Sequence, residues 1–250
     1  MSQRSAENAS SVEKIMLKLH TSCMAHIEQA TGTNESEINR VLHLEADLAA
    51  WLEALDSRPE AQQFQSAHRD FGLSFYAAMS GLYRQAFSTL RSFLEVTVGA
   101  TYLSSHEFKR RQWVSGKLDI SWKAITSTDS GLYSTPFLDE FCPEAVDEQE
   151  KMLDKLKGAY RRCSEYIHGN VSTSQMLPTE ISYQEDITKE WLSVADSALG
   201  AAMHAFLVRY YKDLSQTSKG IVEGSLEDHF SHLVSVRKLL GLPLEETHFE

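Results

Sequence analysis

One stretch of the chain, Tyr160–Asn170, combines side chains that can bind an anion and transfer a proton. Its sequence is YRRCSEYIHGN, which places Arg161 and Arg162 a short way upstream of His168. The glycine and asparagine that follow favour a left-handed turn, so the histidine is predicted to lie at a helix C-terminus. An arginine and a histidine at one helix end form a small cationic site that can transfer a proton.

The helical repeat distinguishes the two arginines. Successive residues turn by about 100° in an α-helix, so Arg161, seven residues before His168, is predicted to share a face with it. Ser164 and Glu165 lie near the same stripe. Arg162 is six residues before the histidine and points away in an ideal helix. A terminal turn that tightens or unwinds changes this direction, so both arginines remain candidates.

An ordinary helix end has the same pattern. In that interpretation both arginines are solvated helix charges. His168 then caps the C-terminus, where the helix dipole favours an imidazolium ion. The spacing alone leaves both interpretations open.

A second pair of charges lies in the strongly apolar segment Tyr83–Leu103, which is predicted to be a buried helix. Arg91 and Glu95 are four residues apart on one face of it. A lone buried charge is costly, so we expect them to pair with each other or with the motif helix. The pair is either a structural ion pair, or Glu95 orients Arg161 or Arg162 while Arg91 adds positive charge to the site.

These motifs resemble the HEPN superfamily, whose catalytic members are metal-independent ribonucleases. The family pattern is an arginine and a histidine separated by four to six residues near a helix end, in an all-helical chain. Leu90–Glu95 is similar to its LRxxLE run, and Ser164–Gly169 to its SEYxHG ending. The resemblance covers roughly residues 60–213 and implies an all-α, HEPN-like helical bundle.

The resemblance also implies a reaction that needs no metal and no cofactor. The ribose 2′-OH attacks the adjacent phosphate, His168 transfers a proton, and Arg161 or Arg162 holds the phosphate. Two motif helices face each other in a homodimer, so the groove is shared. The residues expected to support the site are Arg91, Glu95, Ser164, Glu165 and Asn170.

Two functions follow from this resemblance. The first is an RNA-cleaving toxin or effector in a bacterial antiviral defence or toxin–antitoxin system, with an antitoxin or sensor protein as partner. The second is an interaction or adaptor protein of the same fold with a degenerate site. Two features support the second function. Arg162 or Cys163 follows the motif arginine, where active members often carry Asn, Asp or His, and the overall charge is acidic. A nucleotide-binding regulator is a third class, since an Arg/His pocket can also hold a phosphate.

Composition describes an ordinary globular protein. The chain has 250 residues, of which 42% are hydrophobic and 24% charged, and its five prolines and twelve glycines favour long helices over a turn-rich β fold. The formal charge of −11 argues against broad, nonspecific nucleic-acid binding. The motif helix is locally basic, because Lys151–Asn170 contains five Lys or Arg and two Asp or Glu.

The three cysteines have no paired spacing, so no zinc site is predicted and a reduced, cytoplasmic location is expected. No apolar signal region and no run of 18 apolar residues is present, so no membrane association is expected.

The apolar spacing divides the chain into three predicted units. Residues 1–58 form an N-terminal helical pair that packs on the core or on a partner. Residues 59–214 form the HEPN-like bundle, and residues 215–250 form a C-terminal helix and tail. We also expect one short helix across Trp113–Ile125, a hairpin near Met176–Tyr183 and a final helix with Ser225 as its N-cap.

Overall fold

The computed structural model describes residues 10–168 and 171–244. In these ranges the chain forms twelve α-helices and no β-strand, which confirms the predicted all-α class. The helices are α1 (Ser11–Thr33), α2 (Glu35–Ala54), α3 (Ala61–Met79), α4 (Tyr83–Leu103), α5 (Glu107–Val114), α6 (Trp122–Ile125), α7 (Thr135–Phe141), α8 (Gln149–Ile167), α9 (Val171–Met176), α10 (Glu185–Tyr210), α11 (Gln216–Phe230) and α12 (Val234–Leu240). Short 3₁₀ helices precede α8 at Pro143–Glu148 and follow α10 at Tyr211–Asp213.

Helix α4 lies at the centre of the bundle, against α3, α8 and α10. Its sequence is apolar on most sides, which is why it can be covered by neighbours all round. Phe87, Leu90 and Leu94 are each 0% exposed. The helix that carries Arg91 and Glu95 is therefore also a main element of the core.

Helix α10 is the second central helix and packs against α2, α4 and α8. Together with the short 3₁₀ helix after it, it is long and apolar enough to cross a membrane by length and composition alone. However, 78% of its most apolar window is buried within the bundle. Its hydropathy is therefore accounted for by burial, as in the core helix of a soluble protein.

One continuous core joins the three predicted units. Trp51 of α2 and Phe64 of α3 both contact Phe206 of α10, with ring centroids 5.9 and 4.8 Å apart. Leu226 of α11 belongs to the same core. The N-terminal pair was predicted to pack on the core or on a partner, and α2 packs on the core. Along α1, whose residues are all described, only Ala30 is fully buried, although Ile27 also packs against the core.

Two predicted local elements are wrong. The single helix across Trp113–Ile125 is two helices, because Gly116 adopts a left-handed conformation (φ 70°) that ends α5. Periodicity placed the apolar residues on one face but could not show this break. The predicted hairpin near Met176–Tyr183 is replaced by α9 and an irregular segment, with no strand there.

The start of the C-terminal helix is also corrected. Ser225 is not an N-cap: it lies inside α11, is buried, and its hydroxyl donates to the Val222 carbonyl oxygen at 2.9 Å. The observed N-cap is Ser215, which accepts from the backbone N–H of Ser218 at 3.1 Å. Two glycines in the first three turns of α11 lower its helix propensity, so the start of this helix could not be predicted from propensity.

Candidate functional site

The packing of α8 against α4 sets the position of the predicted site. Tyr166 of α8 stacks on Phe87 of α4, with ring centroids 3.8 Å apart and planes within 4°. Both rings are buried, so the end of α8 is fixed on the core. Cys163 points to the same side and is also buried, and burial raises the pKa of its thiol to about 12. It is therefore a small core residue and not a nucleophile.

Helix α8 ends where the sequence predicts. Ile167 is its last residue, and the backbone N–H of His168 donates to the Ser164 carbonyl oxygen at 3.1 Å. The imidazole of His168 is exposed at this helix end. It is accessible to a large substrate, as a polynucleotide-cleaving site requires.

The guanidinium group that reaches His168 comes from α4. Nη1 of Arg91 lies 3.2 Å from Nε2 of His168. A guanidinium group only donates hydrogen bonds, so a hydrogen bond here requires Nε2 to be the acceptor. This contact links the motif helix to the Arg91–Glu95 pair.

Two further contacts fix Arg91. Its Nη2 donates to Oε1 of Glu95 at 3.0 Å and to the hydroxyl of Tyr160 at 2.5 Å. The Tyr160 hydroxyl in turn donates to Oε1 of Glu95 at 2.6 Å. The prediction that Arg91 and Glu95 pair with each other or with the motif helix is confirmed, since both kinds of contact are present.

The aromatic ring of Tyr160 packs against the guanidinium group of Arg91. The guanidinium carbon lies 4.7 Å from the centroid of the Tyr160 ring, and Trp122 of α6 stacks on Tyr160 with centroids 3.7 Å apart. Burial, and then the hydrogen bond to Glu95, raise the pKa of Tyr160 to about 12. Its hydroxyl therefore stays protonated at neutral pH and continues to donate a hydrogen bond to the Glu95 carboxylate.

Arg162 faces α10 and not the histidine. It forms hydrogen bonds with Glu190 of α10 and with Glu165, and Oε2 of Glu190 also accepts from the Tyr166 hydroxyl at 2.7 Å. Its guanidinium carbon lies 5.3 Å from the Tyr166 ring centroid. Arg162 therefore ties α8 to α10.

Arg161 is directed into solvent, with a side chain that is 84% exposed. Its Nε lies 3.4 Å from Oε1 of Glu165, and no hydrogen bond joins it to His168 among the described residues. Glu165 thus lies between the two motif arginines. The hypothesis that Glu95 orients Arg161 or Arg162 is not what the contacts show, because Glu95 orients Arg91.

The remaining predicted residues have smaller roles in this geometry. The hydroxyl of Ser164 donates to the Tyr160 carbonyl oxygen at 2.8 Å, a bond within α8. Asn170 lies outside the described residues.

Sequence reasoning missed three members of the site. Tyr160 had a usable signal, since it lies eight residues before His168, close to the same helical face. Trp122 and Glu190 had no such signal in the sequence, because α6 and α10 come into contact with α8 only when the chain folds.

The Arg91–His168 site does not resemble a metal centre. Its carboxylate, Glu95, is already bonded to a guanidinium and a phenol. Histidine and carboxylate atoms converge elsewhere in the described structure, at His43, Asp47 and His229.

Comparison with known proteins adds no family assignment. No protein-family model, curated protein or solved structure matches this chain.

Proposed function

We propose that this chain is a metal-independent endoribonuclease of the HEPN type. The observation that carries the proposal is the exposed imidazole of His168, within hydrogen-bond distance of a guanidinium group fixed by neighbours on two helices. An accessible proton acceptor beside a positioned cation is what phosphodiester cleavage by the ribose 2′-OH needs. In this assignment Arg91 takes the role first given to Arg161 or Arg162.

The contacts support separate roles for His168 and Arg91 in the proposed reaction. Nε2 of His168 takes the proton of the 2′-OH once Arg91 turns its Nη1 to a phosphate oxygen. The 2′-oxygen bonds to phosphorus while the bond to the 5′-oxygen breaks. The products are a 2′,3′-cyclic phosphate and a 5′-hydroxyl, whose proton comes from an imidazolium group or from water. Arg91 stabilises the charge that develops on the phosphate oxygens.

Arg161 supplies a further cation at the rim of the site. Its side chain is mostly exposed, and its contact with Glu165 at 3.4 Å is that of a surface ion pair, which is weak in water. A second copy that faces this helix end would bring another Arg161 and His168 to a shared groove. This homodimer and the RNA substrate belong to the same proposal.

RNA cleavage by the purified chain in EDTA tests the proposal. The wild-type chain should cut single-stranded RNA and leave 2′,3′-cyclic phosphate ends. His168→Ala should reduce the rate by about 10²–10⁴-fold, the usual contribution of a general base. Arg91→Ala should reduce it by about 10²–10³-fold through lost charge stabilisation.

The matched control is His20→Ala, which removes an exposed histidine from α1 and should leave the rate unchanged. Circular dichroism establishes that each variant keeps its helical content. Undiminished cleavage by folded His168→Ala would exclude this imidazole from the reaction. In a cell, expression without a partner protein should slow growth, as expected of a toxin or effector.

A second candidate function is favoured by the charge balance. Each of the three arginines contacts a carboxylate: Arg91 contacts Glu95, Arg161 contacts Glu165, and Arg162 contacts Glu165 and Glu190. Such a compensated site binds phosphate less strongly, which suits an interaction or adaptor protein. In that case RNA stays intact, expression is harmless, and His168→Ala changes neither.

A further inference from the structure

A second cluster of polar side chains joins α2 to α11. His43 and Asp47 lie one turn apart on α2, and His229 lies near the end of α11. One ligand atom from each lies within 4.8 Å of the other two. We infer that these three residues form a Zn²⁺-binding site.

The separations suit zinc. Zinc binds imidazole nitrogen and carboxylate oxygen at about 2.0–2.2 Å, so neighbouring ligand atoms in a tetrahedron lie about 3.4 Å apart. Nε2 of His43 is 3.6 Å from Oδ2 of Asp47. Nε2 of His229 is 2.5 Å from the same oxygen, so it needs to move by about 1 Å to admit an ion.

A fourth ligand is close. Oδ2 of Asp228 lies 4.0 Å from Nε2 of His43, and its side chain is 65% exposed and free to turn. Water can take this position if the carboxylate does not. Both arrangements complete the four-coordinate geometry that zinc prefers.

Hydrogen bonding alone does not explain the cluster. The bond from His229 to Asp47 accounts for one contact. Nε2 of His43 faces two carboxylates at 3.6 and 4.0 Å, too far for a hydrogen bond, and its ring meets the His229 ring edge-on with centroids 5.5 Å apart. Two carboxylates beside two imidazoles attract a divalent cation. The nitrogen ligands favour zinc over magnesium or calcium, which prefer oxygen.

The ion would cross-link the C-terminal part of the chain to the bundle. α11 contributes few buried apolar residues, among them Val222, Leu226 and Phe230. A ligand that binds only the folded chain stabilises it, and a 100-fold excess of zinc over its Kd should raise the Tm by about 5–10 °C. None of the three ligands contacts Arg91 or His168, so this site is independent of the proposed cleavage site.

The test begins with protein stripped by EDTA, dialysed and titrated with ZnCl₂ by calorimetry. One zinc ion should bind per chain, and MgCl₂ at the same concentration should not raise the Tm. His43→Ala should weaken zinc binding by at least about 10-fold, since even the loss of an outer-shell partner has that effect. The side chain of His43 is 60% exposed, so this variant should fold.

His68→Ala is the matched control. Nε2 of His68 lies 2.5 Å from Oε1 of Glu45, also on α2, but no second histidine joins that pair. This variant should still bind one zinc ion. The assignment is overturned if the wild-type chain shows no saturable zinc binding, if Mg²⁺ stabilises it equally, or if both His43→Ala and Asp47→Asn keep full affinity.

Discussion

The buried imidazole of His204 makes the stability of the fold depend on pH. His204 on α10 is 1% exposed, and its Nδ1 lies 3.0 Å from the hydroxyl of Tyr133. Its Nε2 has no hydrogen-bond partner among the described residues. Burial first, and then the positive charges of Lys155 and His232, lower the pKa of His204 to about 3 from an ordinary 6.5.

The direction of the effect follows from proton binding. Between pH 6.5 and 3 the unfolded chain binds a proton at this residue and the folded chain does not. The stability it provides is therefore complete above pH 6.5 and falls as the pH drops towards 3. One pKa unit corresponds to about 1.4 kcal/mol, so the loss from this residue is about 2 kcal/mol at pH 5 and about 4 kcal/mol at pH 3.

His204→Gln removes the titrating group and isolates this contribution. Urea unfolding at pH 8 and pH 5 gives the free energy of unfolding of each protein. The fall between the two pH values should be smaller in the variant by about 2 kcal/mol. The cost of burying the glutamine amide is the same at both pH values, so it cancels when the two free energies of unfolding are subtracted. The titration of His232 also cancels, because this residue is present in both proteins.

His20→Gln on the exposed face of α1 provides the control and should keep the wild-type pH dependence. If His204→Gln loses as much stability between pH 8 and pH 5 as the wild-type chain, the folded protein accepts a proton at His204. The argument from burial would then be refuted.

Two further predictions concern local packing and thiol reactivity. Gly131→Ala should lower the free energy of unfolding by about 1–3 kcal/mol, because a Cβ there would lie 2.5 Å from the Ser127 carbonyl oxygen. Gly158→Ala, at a helical position with open space around a Cβ, should raise it by about 1 kcal/mol, and equal effects in urea unfolding would contradict this contrast. Cys23 is half-buried, whereas burial raises the pKa of the other two thiols to about 12. A thiol reagent should therefore modify one cysteine quickly in the native chain and three in urea, and three fast native reactions would contradict the observed burial.

Helix positions with strong apolar patterns could be predicted from the sequence. The segment Tyr83–Leu103 is predicted and observed with the same ends, because it is apolar on most sides and bounded by turn residues. The break at Gly116 could not be predicted, since it depends on one backbone conformation and not on periodicity. Helix α9 was missed because it has only six residues, four of them polar, which is too short for an amphipathic signal.

The candidate site was predictable in part. The helix end at His168 followed from local turn residues, and the pairing of Arg91 with Glu95 followed from their spacing on one helix. Which arginine meets the histidine depends on how α4 and α8 cross. A single helix repeat contains no information about that crossing, so spacing left Arg161 and Arg162 as the candidates although Arg91 makes the contact.

The double role of α4 affects how mutants of this protein should be sorted. Helix α4 supplies Phe87, which stacks on Tyr166 and so fixes α8 on the core. It also supplies Arg91, which contacts His168 at the end of α8. Under the proposed function, a genetic screen for variants that no longer cleave RNA should therefore recover substitutions at both positions, with the same phenotype for different reasons. Soluble yield should separate them: a Phe87 variant should be scarce in the cell, whereas an Arg91 variant should accumulate as folded protein without the proposed activity.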